Sequence, residues 1–218
     1  MSGAGSATLA FGHEGSFLGS VTGAPDYYSF GRNPTVQDLS LDNQLQRMRE
    51  AGVIESVEDV KTNFEGAFGI EAVVNGAVHD QVEQVVFNDN GGGFTTGRAQ
   101  PMTVQAGVKH LDPAGGTNTK IRALKGVVPT DYELTYQQGD LVRYSLTCIY
   151  GDEEPGTEPS SVTDPVGGED AASHTFSLDV DGTTVSKLQS ATLSLSNLYR
   201  FQRDPGPTPV EAVLAAPE

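Results

Sequence analysis

The stretch EDVKTNFEGAFGIEAVV, Glu58–Val74, decides the fold. Val60, Phe64, Phe68, Ile70, Ala72 and Val74 share one parity, with Thr62 and Gly66 as its weak positions. Asp59, Lys61, Asn63, Glu65 and Glu71 share the other. Successive side chains leave a strand on opposite sides, so this alternation predicts a β-strand with one packed and one wet face. Strands usually run about 5–6 residues. This one is therefore expected to be extended or bent, and Gly66 and Gly69 are natural sites for a bend or bulge. Such a strand suits an ordinary β-sandwich, and it suits equally the polar wall of a large assembly.

Downstream of the strand, Asn75-Gly76 marks a break and the period changes. Val78, Val82, Val85 and Val86 lie at i, i+4, i+7 and i+8, one apolar stripe of a helix ending near Phe87. Asp80 falls in its first turn, where the helix dipole favours an anion. Residues 88–97, NDNGGGFTTG, read as a flexible loop; no Lys-Ser or Lys-Thr follows the glycines, as a phosphate-cradling loop requires. Strands are expected over Gln100–Val108, Ile121–Val128 and Asp131–Tyr136. A turn at residues 137–140 joins the last of these to Leu141–Tyr150, forming a hairpin. Residues 151–173 are acidic and rich in Pro and Gly, an expected surface loop or insertion. Phe176, Leu178 and Val180 alternate, Asp181-Gly182 turns the chain, and Val185–Ser196 returns with Ala191, Leu193 and Leu195 facing inward.

Upstream, Leu39–Gly52 reads as a short helix from Leu41, Leu45 and Met48, with Ser40 as its cap and Gly52 as its stop. Val36, Leu39 and Leu41 would equally begin a strand. Residues 1–34 are rich in Gly and Ser and are expected to form an N-terminal arm, whose aromatic residues either dock on something or pack against its own domain. The sequence thus divides into that arm, a β domain over 35–203 and a proline-rich, extended C-terminal tail over 204–218.

The chain has 218 residues, enough to bury a real core. Thirteen Lys and Arg face 29 Asp and Glu, for a net charge of −16 spread along the whole chain. Scarce lysine and distributed acid suit high salt, where screening shortens repulsion to a few ångströms. They disfavour tight binding to a phosphate backbone, which needs clustered cations. The single cysteine, Cys148, excludes an intrachain disulfide and reads as a small core residue. No apolar run is long enough to span a membrane, and the first residues lack the pattern of a signal peptide. His13, His79, His110 and His174 stand far apart, without ligand spacing to one another or to the cysteine. No nucleophile elbow is present. Neither a catalytic site, nor a metal, nor a cofactor is expected.

The order of elements then carries a resemblance. "TNFEG", "ALKGVVPTDYEL", "GDLVRYSL" and "SATLSLSN" follow one another across roughly residues 58–200. This resembles the tail tube proteins of tailed viruses, and the acidity resembles that of viruses of haloarchaea. The resemblance implies a mainly β fold, a sandwich or partial barrel with one or two short helices, completed as a barrel between subunits. It implies hexameric rings stacked into a tube that conducts double-stranded DNA without sequence preference. The implied partners are further copies, a tape measure, a tail terminator and a baseplate, and the implied location is the virion tail. Asp59, Glu65 and Glu71 are then candidates to line the channel. Phe11, Phe17, Tyr27, Tyr28, Phe30 and Phe94 are candidates for contacts between rings. Two other readings remain: a ring-forming tube of a contractile injection system, and a soluble β-sandwich binding module from a halophile.

Overall fold

The computed structural model describes residues 7–22, 27–48, 58–87, 99–111, 117–166, 168–173, 179–185, 188–202, 209 and 211–214. Its strands are β1 (Ala7–His13), β2 (Tyr27–Tyr28), β3 (Arg32–Met48) and β4 (Glu58–Val73). The helix α1 (His79–Phe87) follows, then β5 (Met102–Leu111), β6 (Thr117–Gln137), β7 (Arg143–Tyr150), β8 (Asp152–Pro155) and β9 (Val162–Thr163). The last strands are β10 (Asp179–Val180), β11 (Thr183–Thr184), β12 (Ser190–Leu195), β13 (Tyr199–Gln202) and β14 (Glu211–Leu214). Ten of them form one curled half-barrel sheet, in the order β3-β4-β7-β6-β5-β1-β2-β9 with β8 and β12 also on β6. The fold is mainly β with one short helix, as the alternation predicts.

The 21-residue β6 is the spine of this sheet. Its first half pairs with β5 and β8, and its second half pairs with β7 and β12. It turns a corner between the two halves. Gly126 takes φ +62°, a conformation open to glycine and strained for other residues, and the register slips between Pro129 and Asp131. Gly151 turns the facing chain between β7 and β8, and its N–H bonds the Lys125 carbonyl at 3.0 Å. Phe17 and Leu18 lie over both glycines, so close that a Cβ on Gly126 would fall 2.7 Å from the Phe17 ring. Inside the corner, the buried Glu14 accepts hydrogen bonds from the Gly126 N–H at 2.8 Å and the Thr103 hydroxyl at 2.7 Å.

The core lies on the inner face of the sheet and is closed by the helix. Phe68, Ile70, Leu124, Val127, Tyr132, Tyr144, Leu146 and Cys148 meet Val82, Val85 and Val86 of α1. A nine-residue helix is marginal alone, so this burial is what holds it. Asn75 starts it: its side-chain oxygen accepts the Ala77 N–H at 3.0 Å, and its carbonyl accepts the His79 N–H at 3.0 Å. The weak position Gly66 also finds its reason. It pairs across the ladder with Tyr150, whose ring lies on it and leaves no room for a Cβ. The Tyr150 hydroxyl continues over β4 to the Ser40 carbonyl on β3, at 2.9 Å.

Several elements differ from the sequence reading. Leu39–Gly52 contributes no described helix; through Met48 it is strand, paired with β4 along its length. Helical spacing of three apolar residues is outweighed by a continuous ladder and by packing of Leu39 beside the core. In the N-terminal segment, packing on its own domain is the reading that fits β1, which pairs with β5 over seven residues and buries Ala10 and Phe11. Two strands expected separately, Ile121–Val128 and Asp131–Tyr136, are one, because Pro129 sits at the register shift where its missing donor costs little. The acidic stretch 151–173 contains β8 and β9, and Asp170 within it bonds Asn75 at 2.7 Å and Arg32 at 2.7 Å. The Asp181-Gly182 turn joins β10 to β11 with both residues at positive φ, as a two-residue hairpin demands.

Candidate assembly surface

The wet face of the sheet is polar across five strands. One cross-strand row runs Ser194, Glu133, Ser145, Glu71, Thr35 through β12, β6, β7, β4 and β3. None of the five is buried. Asp131, Thr147, Thr135 and Arg143 occupy neighbouring positions on the same side. Glu71 is held by Arg143 at 3.5 Å and by the Gln37 amide at 3.1 Å. These partners are exposed, so they fix a geometry more than they stabilise the fold. The face offers hydroxyls and carboxylates with few cations, a surface that holds a polyanion weakly.

The edge of the sheet is unfinished. β3 is 17 residues long and, among the described residues, pairs only with β4. An unpaired edge invites promiscuous association unless it is made irregular. Pro34 and register shifts near Arg32, Val36 and Gln44 make it so, leaving a regular run from Asp38 to Gln44. Beside this edge no described element covers the inner face of the half-barrel. A groove of about 1180 Å³ opens there, lined by Val36, Leu39 and Leu41 of β3 together with Leu9 of β1, Val108 of β5 and Ile121 of β6. Its rim carries Arg122, paired in bidentate fashion with Glu153 at 2.6 and 2.7 Å. That pairing holds the Glu153 carboxyl below its ordinary pKa and raises the Arg122 guanidinium.

The residues singled out in the sequence fall in different places. Asp59, Glu65 and Glu71 lie on one parity of β4, with Asp59 opposite Arg47 and Glu65 opposite Asp42 in register. Phe11 and Phe30 are fully buried inside the subunit, 4.6 Å apart between ring centres. They are therefore unavailable to a neighbouring ring. Phe17 and Tyr27 are half-buried. So is Tyr28, whose ring stands 5.9 Å from that of Phe11. Phe94 lies outside the described residues. Of β12's expected inward residues, Ala191 and Leu195 are partly buried, but Leu193 is 48% exposed, because no described element covers it. Sequence reasoning missed Asp131 and Glu133, although their alternation with Tyr132, Leu134 and Tyr136 carries the signal.

The titratable groups inside the subunit serve packing. The His79 ring lies tilted against that of Tyr144, 4.9 Å between centres, and meets the Tyr132 hydroxyl at 3.2 Å; burial lowers its pKa to about 4. Burial raises the Glu14 carboxyl against the pull of its hydrogen bonds and pushes the Cys148 thiol up. Among the described residues no group of three or more His, Cys, Asp and Glu is placed to hold a metal ion. No described helix is long and apolar enough to cross a membrane.

A sheet with a polar face, a free edge and an uncovered apolar groove is the construction of a subunit that assembles. The chain matches the family model described as phage tail tube protein over residues 1–217, and it belongs to that family. The family is structural, its place is the virion tail, and its members assemble with other tail proteins into a multi-subunit tube. No curated protein matches the chain.

Proposed function

We propose that six copies of this chain close a ring, that the rings stack into the tail tube, and that its bore conducts double-stranded DNA. The observation that carries this reading is the long edge strand β3, which among the described residues has a single neighbour. A ring of identical copies supplies each such edge with a partner and leaves none open. The wet row through Glu133 and Glu71, together with Asp59 and Glu65 of the same strand parity, forms the channel wall. Phosphates meet acids and hydroxyls there, so the duplex passes without sticking. Phe17, Tyr27, Tyr28 and Phe94 provide contacts between rings, with Phe11 supporting Tyr28 from behind and Phe30 packed on Phe11.

The charge of −16 suits a virion that lives in strong salt, where repulsion between copies is screened. Electron microscopy of the purified chain at molar salt tests the whole reading. Six-fold rings or tubes with an open bore are expected. Dispersed monomers at high protein concentration would overturn it, as would closed particles without a bore. Dilution to low salt is expected to disassemble the particles; indifference to salt would remove the halophilic part alone.

A further inference from the structure

The groove beside β3 calls for an occupant. Val36 is 42% exposed, Leu41 40% and Val108 50%. Half of the exposed large hydrophobic residues described in this chain thus line one concavity. Scattered apolar residues are ordinary on a surface, but a contiguous patch in a hollow marks a binding site. The groove is lined by residues from both margins of the curled sheet: Val36 and Leu41 from β3 at one margin, Leu9 from β1 near the other.

We propose that a second copy of this chain seats in this groove and buries Val36, Leu41 and Val108. The proposal rests on the tube reading above and names the surface by which copies cohere. Two physical arguments choose the occupant. Each copy carries −16, so net charge supplies no attraction between copies even where salt screens it, and short-range apolar burial is the available source of cohesion. The groove also shares its β3 wall with the free edge, so a copy that pairs with β3 lies over the hollow beside it. The contact is heterologous: groove and free edge on one copy meet other surfaces on the next, an arrangement that closes as a ring or grows as a stack.

Cysteine labelling tests this directly, because Cys148 is 0% exposed and silent. In Val108→Cys, a maleimide fluorophore is expected to label dispersed subunits readily and assembled particles at least about tenfold more slowly. Equal labelling of both overturns the groove as a seat and leaves the tube reading standing. A wild-type chain that never assembles overturns the tube reading and the occupant with it. In a second variant, Val108→Glu, the circular dichroism and thermal midpoint of the subunit are expected to stay unchanged while particles fail to form. Normal particles from Val108→Glu would overturn the proposal.

Discussion

Two regions of one sheet are built to opposite ends. At the corner between Gly126 and Gly151 the chain covers its own glycines with Phe17 and Leu18 and ties Glu14 to the Gly126 amide. Along β3, among the described residues, it leaves one side of a 17-residue strand unpaired, with Val36 and Leu41 exposed in a hollow shared with Val108 of β5. The first region is finished by folding. The second offers an edge and a hollow to another molecule, and its irregular register keeps it from pairing with an arbitrary strand. Stability and assembly are therefore separable in this protein: damage to the closed region should unfold the subunit, and damage to the open one should leave it folded and solitary.

The sharpest way to break that contrast is at Gly66. Its Cβ would lie 2.0 Å from the Tyr150 ring, so Gly66→Val is expected to cost at least about 3 kcal/mol in urea unfolding. Adding Tyr150→Ala should recover part of the loss, a coupling that a double-mutant cycle reads. Next comes Leu124→Ala in the buried core, expected to cost about 2–5 kcal/mol and to lower the thermal midpoint without changing the sheet's circular dichroism when folded.

Acid should act through His79. Its folded pKa of about 4 lies below the unfolded value of 6.5, so the unfolded chain binds the proton more readily. The stability it lends is fully present above pH 6.5 and is lost as pH falls toward 4. Roughly 3 kcal/mol is at stake. Asp80 works against the shift, and Tyr132, Tyr144 and Glu83 also face the ring. Unfolding curves at pH 7 and pH 4.5 should therefore converge in His79→Gln relative to wild type. The smallest effect belongs to the open region: Val36→Lys is expected to change subunit stability by less than about 0.5 kcal/mol while abolishing particles in the microscope. If Val36→Lys unfolds the subunit as Gly66→Val does, the two regions are not distinct.

What the sequence shows depends on how locally each element is determined. β4 and the β6–β7 hairpin are legible because their alternation is long and their turn is short. The helix α1 is legible because its stripe is continuous. β1 and β3 are not. β1 pairs with β5, far along the chain, and its seven residues hold only Leu9 and Phe11 as large apolar side chains, among Ala7, Ala10 and Gly12. Within β3, Leu41, Leu45 and Met48 imitate a helix, and only the ladder to β4 shows otherwise. The assembly surface divides in the same way. Glu71 is readable from the parity of its own strand, but the row it joins needs four other strands in register. The groove has no local signature at all, since Leu9, Leu41, Val108 and Ile121 come from four different strands.

The Tyr150 side chain has a mechanical consequence. It starts on β7, crosses above Gly66 of β4 and ends at the Ser40 carbonyl of β3, like a rivet through three planks. A tug on the outermost strand then cannot peel it away one bond at a time. The load passes instead into β7, through a side chain anchored beyond β4.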